Sequence, residues 1–473
     1  MSEIKTRFAP SPTGFMHIGN LRTALYSYLL AKSQGGKFVL RIEDTDQVRH
    51  VDGAEQVIID TLKSTGIEYD EGPYIQSERL GIYREYADKL IESGHAYYCF
   101  CTPERLESLK DEKGIGGYDG HCRTLTQEDI QKNLAEGKPY VIRQKMPDSG
   151  TTSYVDEVYG EVSIDNSELR DQIMIKADGY PTYNFCHVVD DYLMGITHVV
   201  RGNEYLTSTP KYCLLYDAFG WERPHYVHLP LLMGKDADGN VSKLSKRHGA
   251  VSFQDLIGDG YLPEAVVNYI ALLGWCPKDS NQEFFTIDEL KKSFSMEGLS
   301  KSPAVFDYEK LKWFNSEYIK KMPDDEYGKI VMPILEKIFS DNINIGKLSE
   351  LLHGRLITFG EIGERTEFVL KRLDMDNSLY INKKNKTTPE LCKQILNECL
   401  PLLENLESWD NDSLFALLKE YSASSGIKAG AVMWAVRIAV ARQGITPGGA
   451  TELMEVFGKN ESIERIKLAI SEL

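Results

Sequence analysis

Residues 4–42 read IKTRFAPSPTGFMHIGNLRTALYSYLLAKSQGGKFVLRI, and the fold class can be inferred from this stretch. The apolar-rich run Ile4–Ala9 predicts a strand, and a loop rich in proline and glycine follows it. Apolar residues then recur at helical spacing from a helix start near His17 until two glycines end the helix. Phe38–Ile42 predicts the next strand. This order indicates a β-α-β unit, the building block of a parallel sheet.

The rest of the sequence predicts further strands, an insertion and a helical region after that β-α-β unit. The pattern changes from about residue 80 to 178, where we expect an insertion containing a short strand at Tyr140–Gln144. Strands are predicted again at Tyr192–Arg201 and Tyr226–Leu232, and after about residue 250 helical periodicity dominates, as in Leu414–Tyr421 and Val432–Ala441. We therefore expect an α/β protein: a doubly wound parallel sheet with an inserted domain, followed by an all-α C-terminal half.

Composition limits the class of protein. A chain of 473 residues with 42% hydrophobic residues should form two to four folded domains. No stretch approaches the eighteen uncharged apolar residues of a membrane span, and the N-terminus lacks the apolar core of a signal peptide, so we expect a cytoplasmic protein without a membrane partner. Eight cysteines are too few for a disulfide scaffold. The net charge of −17 leaves nucleic-acid binding open, because a local basic face can exist on an acidic protein.

The first motif with chemical content is His17-Ile18-Gly19-Asn20, at the start of the predicted helix. Free backbone N–H groups and the partial positive charge of a helix N-terminus suit an anion. The His17 imidazole can donate to a phosphate oxygen, and Gly19 lets a nucleotide approach the backbone closely. The alternative is a surface histidine that caps the helix.

The second motif is Lys243-Leu244-Ser245-Lys246-Arg247-His248-Gly249. Three cations within five residues suit a pyrophosphate leaving group, because a lysine ammonium can follow phosphoryl oxygens as charge develops on them. A lysine and arginine cluster alone is more often a solvated loop. The two motifs together predict an enzyme that handles ATP phosphates to activate a carboxylic acid.

The pair resembles the two signatures of class I aminoacyl-tRNA synthetases, with Asn20 in place of a final histidine and with Leu244 and Arg247 as further departures. Five longer segments resemble the bacterial-type glutamyl-tRNA synthetases. They are Arg7–Gly14, Arg41–Asp46, Gln76–Arg79, Tyr180–Phe185 and Arg201–Tyr205. The resemblance implies a catalytic domain at 1–80 and 179–240 and an inserted acceptor-stem-binding domain at 81–178. It also implies a stem-contact domain at 241–322, which includes Ser300–Asp307, and a helical anticodon-binding region at 323–473.

The resemblance also implies residue roles. A glutamate substrate needs an arginine for its side-chain carboxylate and an acid for its ammonium group. The substrate-binding residues implied are Arg7, Ser11, Glu43, Tyr183, His187 and Arg201. Those for ATP are His17, Gly19, Glu204, Leu244 and Lys246, and those for catalysis are His17, Asn20, Lys243 and Lys246, with Mg²⁺ bound to ATP. Arg7 could instead form an ion pair at the sheet edge, Glu43 could cap a helix, and His187 could be either a pocket-lining donor or a core histidine.

A third group of residues has the spacing of a metal site. Cys99 and Cys101 are separated by one residue, and Tyr118, His121 and Cys122 follow about twenty residues later. Such donors could close a tetrahedral Zn²⁺ site, which in relatives of this family lies in the acceptor-binding insertion. The resemblance implies Cys99, Cys101, Tyr118 and Cys122 as the ligands, with His121 as the alternative fourth ligand. Three reduced cysteines near a turn are the plain alternative.

The helical C-terminal part resembles the anticodon-binding region of bacterial glutamyl enzymes, and Arg437, Thr446 and Pro447 match positions that approach the anticodon there. Arg437 could otherwise be a surface charge. The expected reaction is glutamylation of tRNA-Glu by a monomeric enzyme, with activation that requires bound tRNA. The first alternative is a non-discriminating enzyme that also charges tRNA-Gln. A tRNA-modifying relative, a metabolic nucleotidyltransferase and a catalytically silent RNA-binding paralogue are the others.

Overall fold

The computed structural model describes residues 3–109, 117–236, 238–278, 280–339 and 342–473, with the side chain of Lys246 outside that description. The chain forms two compact units. The first contains Met1–Leu256 and Val267–Asp307, and the second contains Ile257–Val266 and Tyr308–Leu473. Among the described residues, no helix is both long enough and apolar enough to cross a membrane.

The strands belong to three sheets in the first unit. They are β1 Lys5–Phe8, β2 Lys37–Ile42, β3 Glu71–Ile75, β4 Ala96–Cys99, β5 Val141–Gln144, β6 Thr151–Asp156, β7 Gly160–Asp165, β8 Ile173–Ile175, β9 His198–Gly202, β10 His225–Leu229, β11 Leu232–Lys235, β12 Val241–Lys243 and β13 Ala304–Phe306.

The helices occur in both units. They are α1 Ile18–Ser33, α2 Ala54–Ser64, α3 Leu80–Glu92, α4 Pro103–Ser108, α5 Gln127–Ala135, α6 Tyr183–Leu193, α7 Thr209–Phe219, α8 Phe253–Gly258, α9 Pro263–Ala271, α10 Ile287–Ser293, α11 Tyr308–Lys321, α12 Asp324–Ile338, α13 Ile345–His353, α14 Ile362–Arg365, α15 Glu367–Leu370, α16 Pro389–Glu404, α17 Asn411–Ser425, α18 Ala429–Ala441 and α19 Ala450–Glu472.

The largest sheet has the order β3-β2-β1-β9-β10-β6-β7, and only its edge strand β7 is antiparallel to its neighbour. Five consecutive residues of β2 are buried, as expected of a strand covered on both faces. The chain order reverses between β1 and β9. In open α/β sheets the crevice at the carboxyl ends of such strands is the usual ligand site. The predicted doubly wound sheet is confirmed.

The two smaller sheets carry the other sequence motifs. The order β4-β5-β8 brings Cys99, at the end of β4, into an antiparallel sheet, and the order β12-β11-β13 holds the strand that ends at Lys243. The hairpin β6–β7 pairs with β10 in the large sheet, although it lies within the sequence range expected to be inserted.

Two predicted strands were partly wrong. Residues Tyr192 and Leu193 are the end of helix α6, and β9 begins only at His198, because Gly195 turns the chain with a positive φ of 68° between them. The predicted strand Tyr226–Leu232 is two strands, β10 and β11, separated by Pro230, whose ring nitrogen cannot donate to a ladder. The short strand β13 was not predicted.

The second unit is helical, as predicted, and its core is formed mainly by facing sides of α16, α17, α18 and α19. Helix α18 is buried on most of its surface, from Ala431 to Ala441, because its sequence is nearly all apolar. The predicted helical runs lie within α17 and α18.

Candidate active site

His17 stands at the start of α1, beside the point where the strand order reverses. It is the N-cap of the helix, and its Nδ1 accepts a hydrogen bond from the Gly19 amide at 3.0 Å. Because Nδ1 accepts, the proton of the neutral ring lies on Nε2, which is therefore a donor. Burial lowers the pKa of His17, and the charge of Lys243 lowers it further. A neutral donor at a helix N-terminus suits an anionic ligand.

The first motif is joined by its backbone to the segment that follows the second motif. An antiparallel bridge pairs His17 with Ser252, and the amide of Ile18 donates to the carbonyl of Val251 at 2.9 Å. The two motifs predicted to share one phosphate chain therefore lie together in the first unit, although they are far apart in the sequence.

The second motif follows the hairpin β11–β12. Lys243 ends β12 and is exposed, whereas Leu244 is buried and its amide donates to the carbonyl of Leu232 at 2.9 Å. A short 3-10 helix, Lys246–His248, comes next. The predicted role of the Lys246 ammonium falls on a side chain outside the described structure.

His248 holds this turn through its ring. Its Nδ1 accepts from the Ser245 amide at 3.0 Å, and its Nε2 lies 3.2 Å from Ser242 Oγ. The ring packs on Gly234 of β11, where an added Cβ would lie only 2.6 Å from His248 Cγ. Gly234 is therefore the residue that gives the His248 ring its room.

Buried arginines and acids form an ion-pair cluster beneath the sheet crevice. Asp191 Oδ1 accepts from Arg7 Nε at 3.0 Å and from Arg41 Nη1 at 2.9 Å. Arg41 also donates to Oε1 of Glu43 from Nε and Nη2, at 3.3 and 3.1 Å. Arg7 thus makes the ion pair that the sequence left open, but in the interior and not at a sheet edge.

The charges of this cluster shift two carboxyl groups in opposite directions. Burial alone would raise the pKa of Asp191, but the guanidinium groups of Arg7 and Arg41 lower it to about 2. Burial raises the pKa of Glu43 to about 7, against the opposing effect of the same two arginines. Near neutral pH, Glu43 is therefore poised between its neutral and its ionised form.

A second acid, Asp190, forms hydrogen bonds with residues of the predicted Gln76–Arg79 motif. Its carboxylate accepts from Gln76 Nε2 and from Arg79 Nε, each at 2.9 Å, and from the Tyr83 hydroxyl at 2.8 Å. Asp190 is fully buried. The motif at 76–79 is therefore held to helix α6 through Asp190.

Arg201 differs from Arg7 and Arg41, the two other buried arginines described at this site. Only 5% of its surface is exposed, yet within the described part of the chain no carboxylate lies within 4 Å of its guanidinium nitrogens. Its nitrogens meet neutral partners: Nε donates to His228 Nε2 at 3.1 Å, Nη2 to Thr209 Oγ1 at 2.7 Å, and Nη1 lies 3.5 Å from His187 Nε2. A buried charge without a counter-ion favours an anionic ligand.

Aromatic rings surround that guanidinium. Its central carbon lies 5.0 Å from the ring centroid of Tyr205 and 4.9 Å from that of Tyr212. Tyr183, the first residue of α6, stacks on His187 with the ring centroids 4.6 Å apart. These rings stabilise the cation by their quadrupoles while excluding water.

His187 accepts toward Arg201 and does not donate. Its Nδ1 lies 2.7 Å from the carbonyl oxygen of Tyr183, so Nδ1 carries the proton and Nε2 has none. Burial lowers the pKa of His187 to about 3, and this keeps the ring neutral. The expectation of a pocket-lining donor is thus corrected: the ring lines the pocket as an acceptor.

The remaining predicted residues lie around the crevice with little burial. Ser11, Asn20 and Glu204 are exposed, and Gly19 is half-buried. A Cβ at Gly19 would lie 3.2 Å from His17 Nδ1, so the glycine keeps the capping contact open.

Sequence reasoning missed Arg41 as an ion-pair hub, as well as Asp190, Asp191 and the pair of Asp156 with His228. One signal was available for the acids. Asp190 and Asp191 follow two valines in an otherwise apolar helical run, and acids in such a run are buried only when they are paired. Asp156 and His228 carry no comparable local signal.

The predicted metal ligands come together in the small sheet that contains β4. The sulfur atoms of Cys99, Cys101 and Cys122 all lie within 4.8 Å of one another. Tyr118 packs against this group, and its hydroxyl accepts from the Cys122 amide at 2.7 Å. His121 is exposed and does not belong to the group.

The predicted anticodon residues lie together in the second unit. Arg437 is half-buried above the ring of Trp434, and its Nη2 donates to the carbonyl of Gly444 at 3.1 Å. Thr446 is buried and donates to the carbonyl of Gly448 at 2.7 Å. Arg437 therefore supports the turn that contains Thr446 and Pro447, and is not a free surface charge.

Comparison with known proteins gives concordant results. A family described as class I tRNA synthetases (E and Q), catalytic domain, matches residues 3–313, and one described as an anticodon binding domain matches residues 308–470. The glutamate–tRNA ligase of Clostridium novyi is 54% identical over 100% of this chain and 98% of its own length. That of Clostridium acetobutylicum is 52% identical, over 100% and 99%. The crystal structure of a glutamate tRNA ligase from Elizabethkingia meningosepticum in complex with its amino acid superposes with a TM-score of 0.88. It has 33% sequence identity and covers 100% of both chains.

Proposed function

The chain belongs to the glutamate–tRNA ligases of class I, and from that premise we propose how its residues carry out the reaction. L-Glutamate is activated by ATP to glutamyl-adenylate, and the glutamyl group is then transferred to the 3′ end of a tRNA. The single observation that carries the proposal is the buried guanidinium of Arg201, which has neutral partners on all three nitrogens.

Arg201 receives the side-chain carboxylate of glutamate in this proposal. Arg7 pairs with Asp191, and Arg41 pairs with Asp191 and Glu43. Of these three arginines of the site, Arg201 is the one with charge left for a ligand. Tyr183 and the Nε2 of His187 border the same space, and Ser11 and Arg7 are assigned to hydrogen bonds with the rest of the amino acid. A carboxylate beside Arg201 forms charge-assisted hydrogen bonds, which an uncharged side chain cannot match.

Glu43 receives the α-ammonium group. Its carboxyl has a pKa raised to about 7 by burial, and a cation placed beside it would favour the ionised form. Binding of glutamate therefore releases a proton from Glu43 over the pH range below 7. The same argument makes an uncharged Glu43 a poor acceptor for the substrate.

ATP lies along the first turn of α1 and the loop after β12. His17 Nε2 and the backbone at Gly19 and Asn20 face the phosphates, and Glu204 and Leu244 border the nucleotide. Lys243 and Lys246 offset charge on the pyrophosphate as it leaves, so that the enzyme acts by alignment and charge stabilisation, without a covalent intermediate. Mg²⁺ bound to ATP adds charge neutralisation at the phosphates.

A structural Zn²⁺ is proposed at Cys99, Cys101 and Cys122. The thiolates of a tetrahedral zinc site lie about 3.8 Å apart, which the sulfur separations within 4.8 Å can reach by small movements. Tyr118 is favoured as the fourth ligand over His121, because its hydroxyl already contacts the Cys122 amide. Such a metal would stabilise the fold around β4 and take no part in activation.

The acceptor is proposed to be tRNA-Glu. Its acceptor stem would contact the inserted residues 81–178 and the stem-contact residues 241–322. Its anticodon would contact the helical residues 323–473, near Arg437, Thr446 and Pro447. We retain 1–80 and 179–240 as the catalytic part and add the hairpin β6–β7, because it belongs to the same sheet. The family role in translation supports a cytoplasmic location, and the monomer expected from the sequence stays a prediction. The names of the relatives specify glutamate, and charging of tRNA-Gln stays a prediction to be tested by aminoacylation of purified tRNA-Gln.

The test is glutamate-dependent ATP–pyrophosphate exchange with and without tRNA. Arg201→Lys keeps the charge but loses the fork geometry, and we expect the KM for glutamate to rise about tenfold or more while the KM for ATP stays nearly constant. Arg372→Lys is the matched control, because it makes the same change at an exposed arginine of the second unit that pairs with Glu461. An unchanged glutamate KM in Arg201→Lys would contradict the assignment, as would exchange that is equally fast without tRNA.

A further inference from the structure

Three buried side chains form a continuous hydrogen-bonded row behind the proposed glutamate pocket. Asp156 Oδ2 lies 2.6 Å from His228 Nδ1, and His228 Nε2 lies 3.1 Å from Arg201 Nε. Asp156 and His228 are almost completely buried. The row connects the end of β6 with the strands β9 and β10, so it crosses the sheet beneath the pocket.

Each proton in this row has one allowed position. A guanidinium can only donate, so His228 Nε2 must accept from Arg201 Nε and the ring proton must lie on Nδ1. Thr209 does not compete for that nitrogen, because its hydroxyl donates to the carbonyl of Tyr205 at 2.7 Å. Nδ1 therefore donates to Asp156 Oδ2, and this contact selects the tautomer.

The other oxygen of Asp156 is also committed. Oδ1 accepts from the amides of Val158 at 3.0 Å and Tyr159 at 2.8 Å, in the turn that joins β6 and β7. Oδ2 accepts in addition from the backbone amide of His228 at 3.2 Å. All the partners of this carboxylate are donors, so its orientation is fully determined.

We propose that Asp156 and His228 are positioning residues that hold the Arg201 guanidinium by a neutral ring, so that it presents an uncompensated charge to the side-chain carboxylate of the substrate. The inference rests on the proposed role of Arg201. A carboxylate in direct contact would orient the guanidinium equally well but would neutralise it, as Asp191 does for Arg7. The imidazole orients Arg201 and keeps the nearest negative charge one ring away. This arrangement favours glutamate over its amide, which lacks the charge.

The discriminating variant is Asp156→Asn. Because two backbone amides require an acceptor at Oδ1, the new amide NH₂ must occupy the Oδ2 position. There it faces His228 Nδ1 as a donor, and it forces the ring proton to Nε2, where it opposes the Arg201 N–H. We expect the KM for glutamate to rise about tenfold to a hundredfold, the effect of losing one hydrogen bond to a charged group. The KM for ATP should stay nearly constant.

Variants of His228 separate positioning from packing. His228→Leu removes the acceptor and should raise the glutamate KM like Asp156→Asn. His228→Gln offers an amide oxygen near the Nε2 position and should restore most of the affinity. His198→Gln is the matched control, because His198 is a buried histidine at the opposite end of β9 that stacks on His225. In the His228→Leu background, Asp156→Asn should have no further effect on KM.

The measurements are the steady-state KM values for glutamate and ATP in pyrophosphate exchange with tRNA. Long-range ¹H–¹⁵N spectra of the histidine rings should place the His228 proton on Nδ1 in the native protein and on Nε2 in Asp156→Asn. Additive effects of Asp156→Asn and His228→Leu, or an unchanged glutamate KM in both, would overturn the proposal even if Arg201→Lys raises that KM. No effect in Arg201→Lys would overturn the role of Arg201 itself, and the inference with it.

Discussion

Replacing Gly234 by alanine should slow glutamate activation through a side chain in another part of the chain. A Cβ at this position would lie 2.6 Å from Cγ, 2.8 Å from Nδ1 and 2.9 Å from Cδ2 of His248. The backbone of Gly234 does not have a positive φ, so alanine itself meets no conformational strain. The whole effect must therefore come from displacement of the His248 ring.

The size of the effect follows from the contacts of that ring. Since carbon atoms pack at about 3.5–4.0 Å, the ring must retreat by about 1 Å. This movement lengthens the 3.0 Å contact from the Ser245 amide and the 3.2 Å contact with Ser242 Oγ beyond hydrogen-bonding range. At about 1 kcal/mol for each hydrogen bond, the loss destabilises the ordered loop after β12 by about 2 kcal/mol. If the activation barrier rises by the same amount, activation becomes about thirtyfold slower.

The assay is ATP–pyrophosphate exchange with saturating tRNA. The exchange rate should fall while the KM for glutamate stays constant, because neither Gly234 nor His248 belongs to the proposed glutamate pocket. Gly81→Ala is the matched control, since a Cβ there meets nothing within 4 Å. In the His248→Ala background, which removes the ring, Gly234→Ala should cost nothing more. Full activity of Gly234→Ala, or a loss that simply adds to that of His248→Ala, would refute the reasoning.

Three further outcomes are expected. Lys246→Ala should lower the exchange rate by about a hundredfold or more and leave glutamate affinity unchanged, because the lysine contact is strongest in the transition state. Weaker glutamate affinity at a normal turnover rate would count against that role. Lowering the pH below 7 should protonate Glu43 and raise the KM for glutamate, and Glu43→Gln should abolish this pH dependence. A wild-type glutamate KM that is constant between pH 6 and 8 would exclude Glu43 as the acceptor of the ammonium group. Elemental analysis should find about one zinc per chain, with a loss of metal and of thermal stability in Cys122→Ser, and metal below about a tenth of an equivalent would rule the site out.

The parts of the fold that local chemistry determines could be predicted from the sequence. The run from Phe38 to Ile42 is apolar without interruption except at Arg41, and it became the buried strand β2. The position of α1 followed from its apolar spacing and from the glycines after it. The error at Tyr192–Arg201 arose because the predicted strand ran through Gly195, whose positive φ of 68° turns the chain between α6 and β9.

The partners of the pocket residues could not be predicted in the same way. Arg7 and Glu43 were singled out as candidate ligand residues, but their contacts with Asp191 and Arg41 depend on how distant segments meet in the sheet. The row from Asp156 to Arg201 joins three strands that share no local pattern. Hydrogen-bond direction, which made His187 an acceptor, also requires the coordinates of its neighbours.

The hydrogen bond between the Ile18 amide and the Val251 carbonyl has a consequence for folding during synthesis on the ribosome. The first turn of α1 lies near the start of the chain, but one of its amides finds its partner only beyond the midpoint of the 473 residues. At 5–20 residues per second, synthesis of about 250 residues takes roughly 12–50 s. During that time the nascent chain lacks the pairing of α1 with Val251, and the parallel sheet forms slowly because its pairings are long-range. Nascent chains that stall before residue 251 therefore cannot acquire activity, however well their N-terminal segments fold.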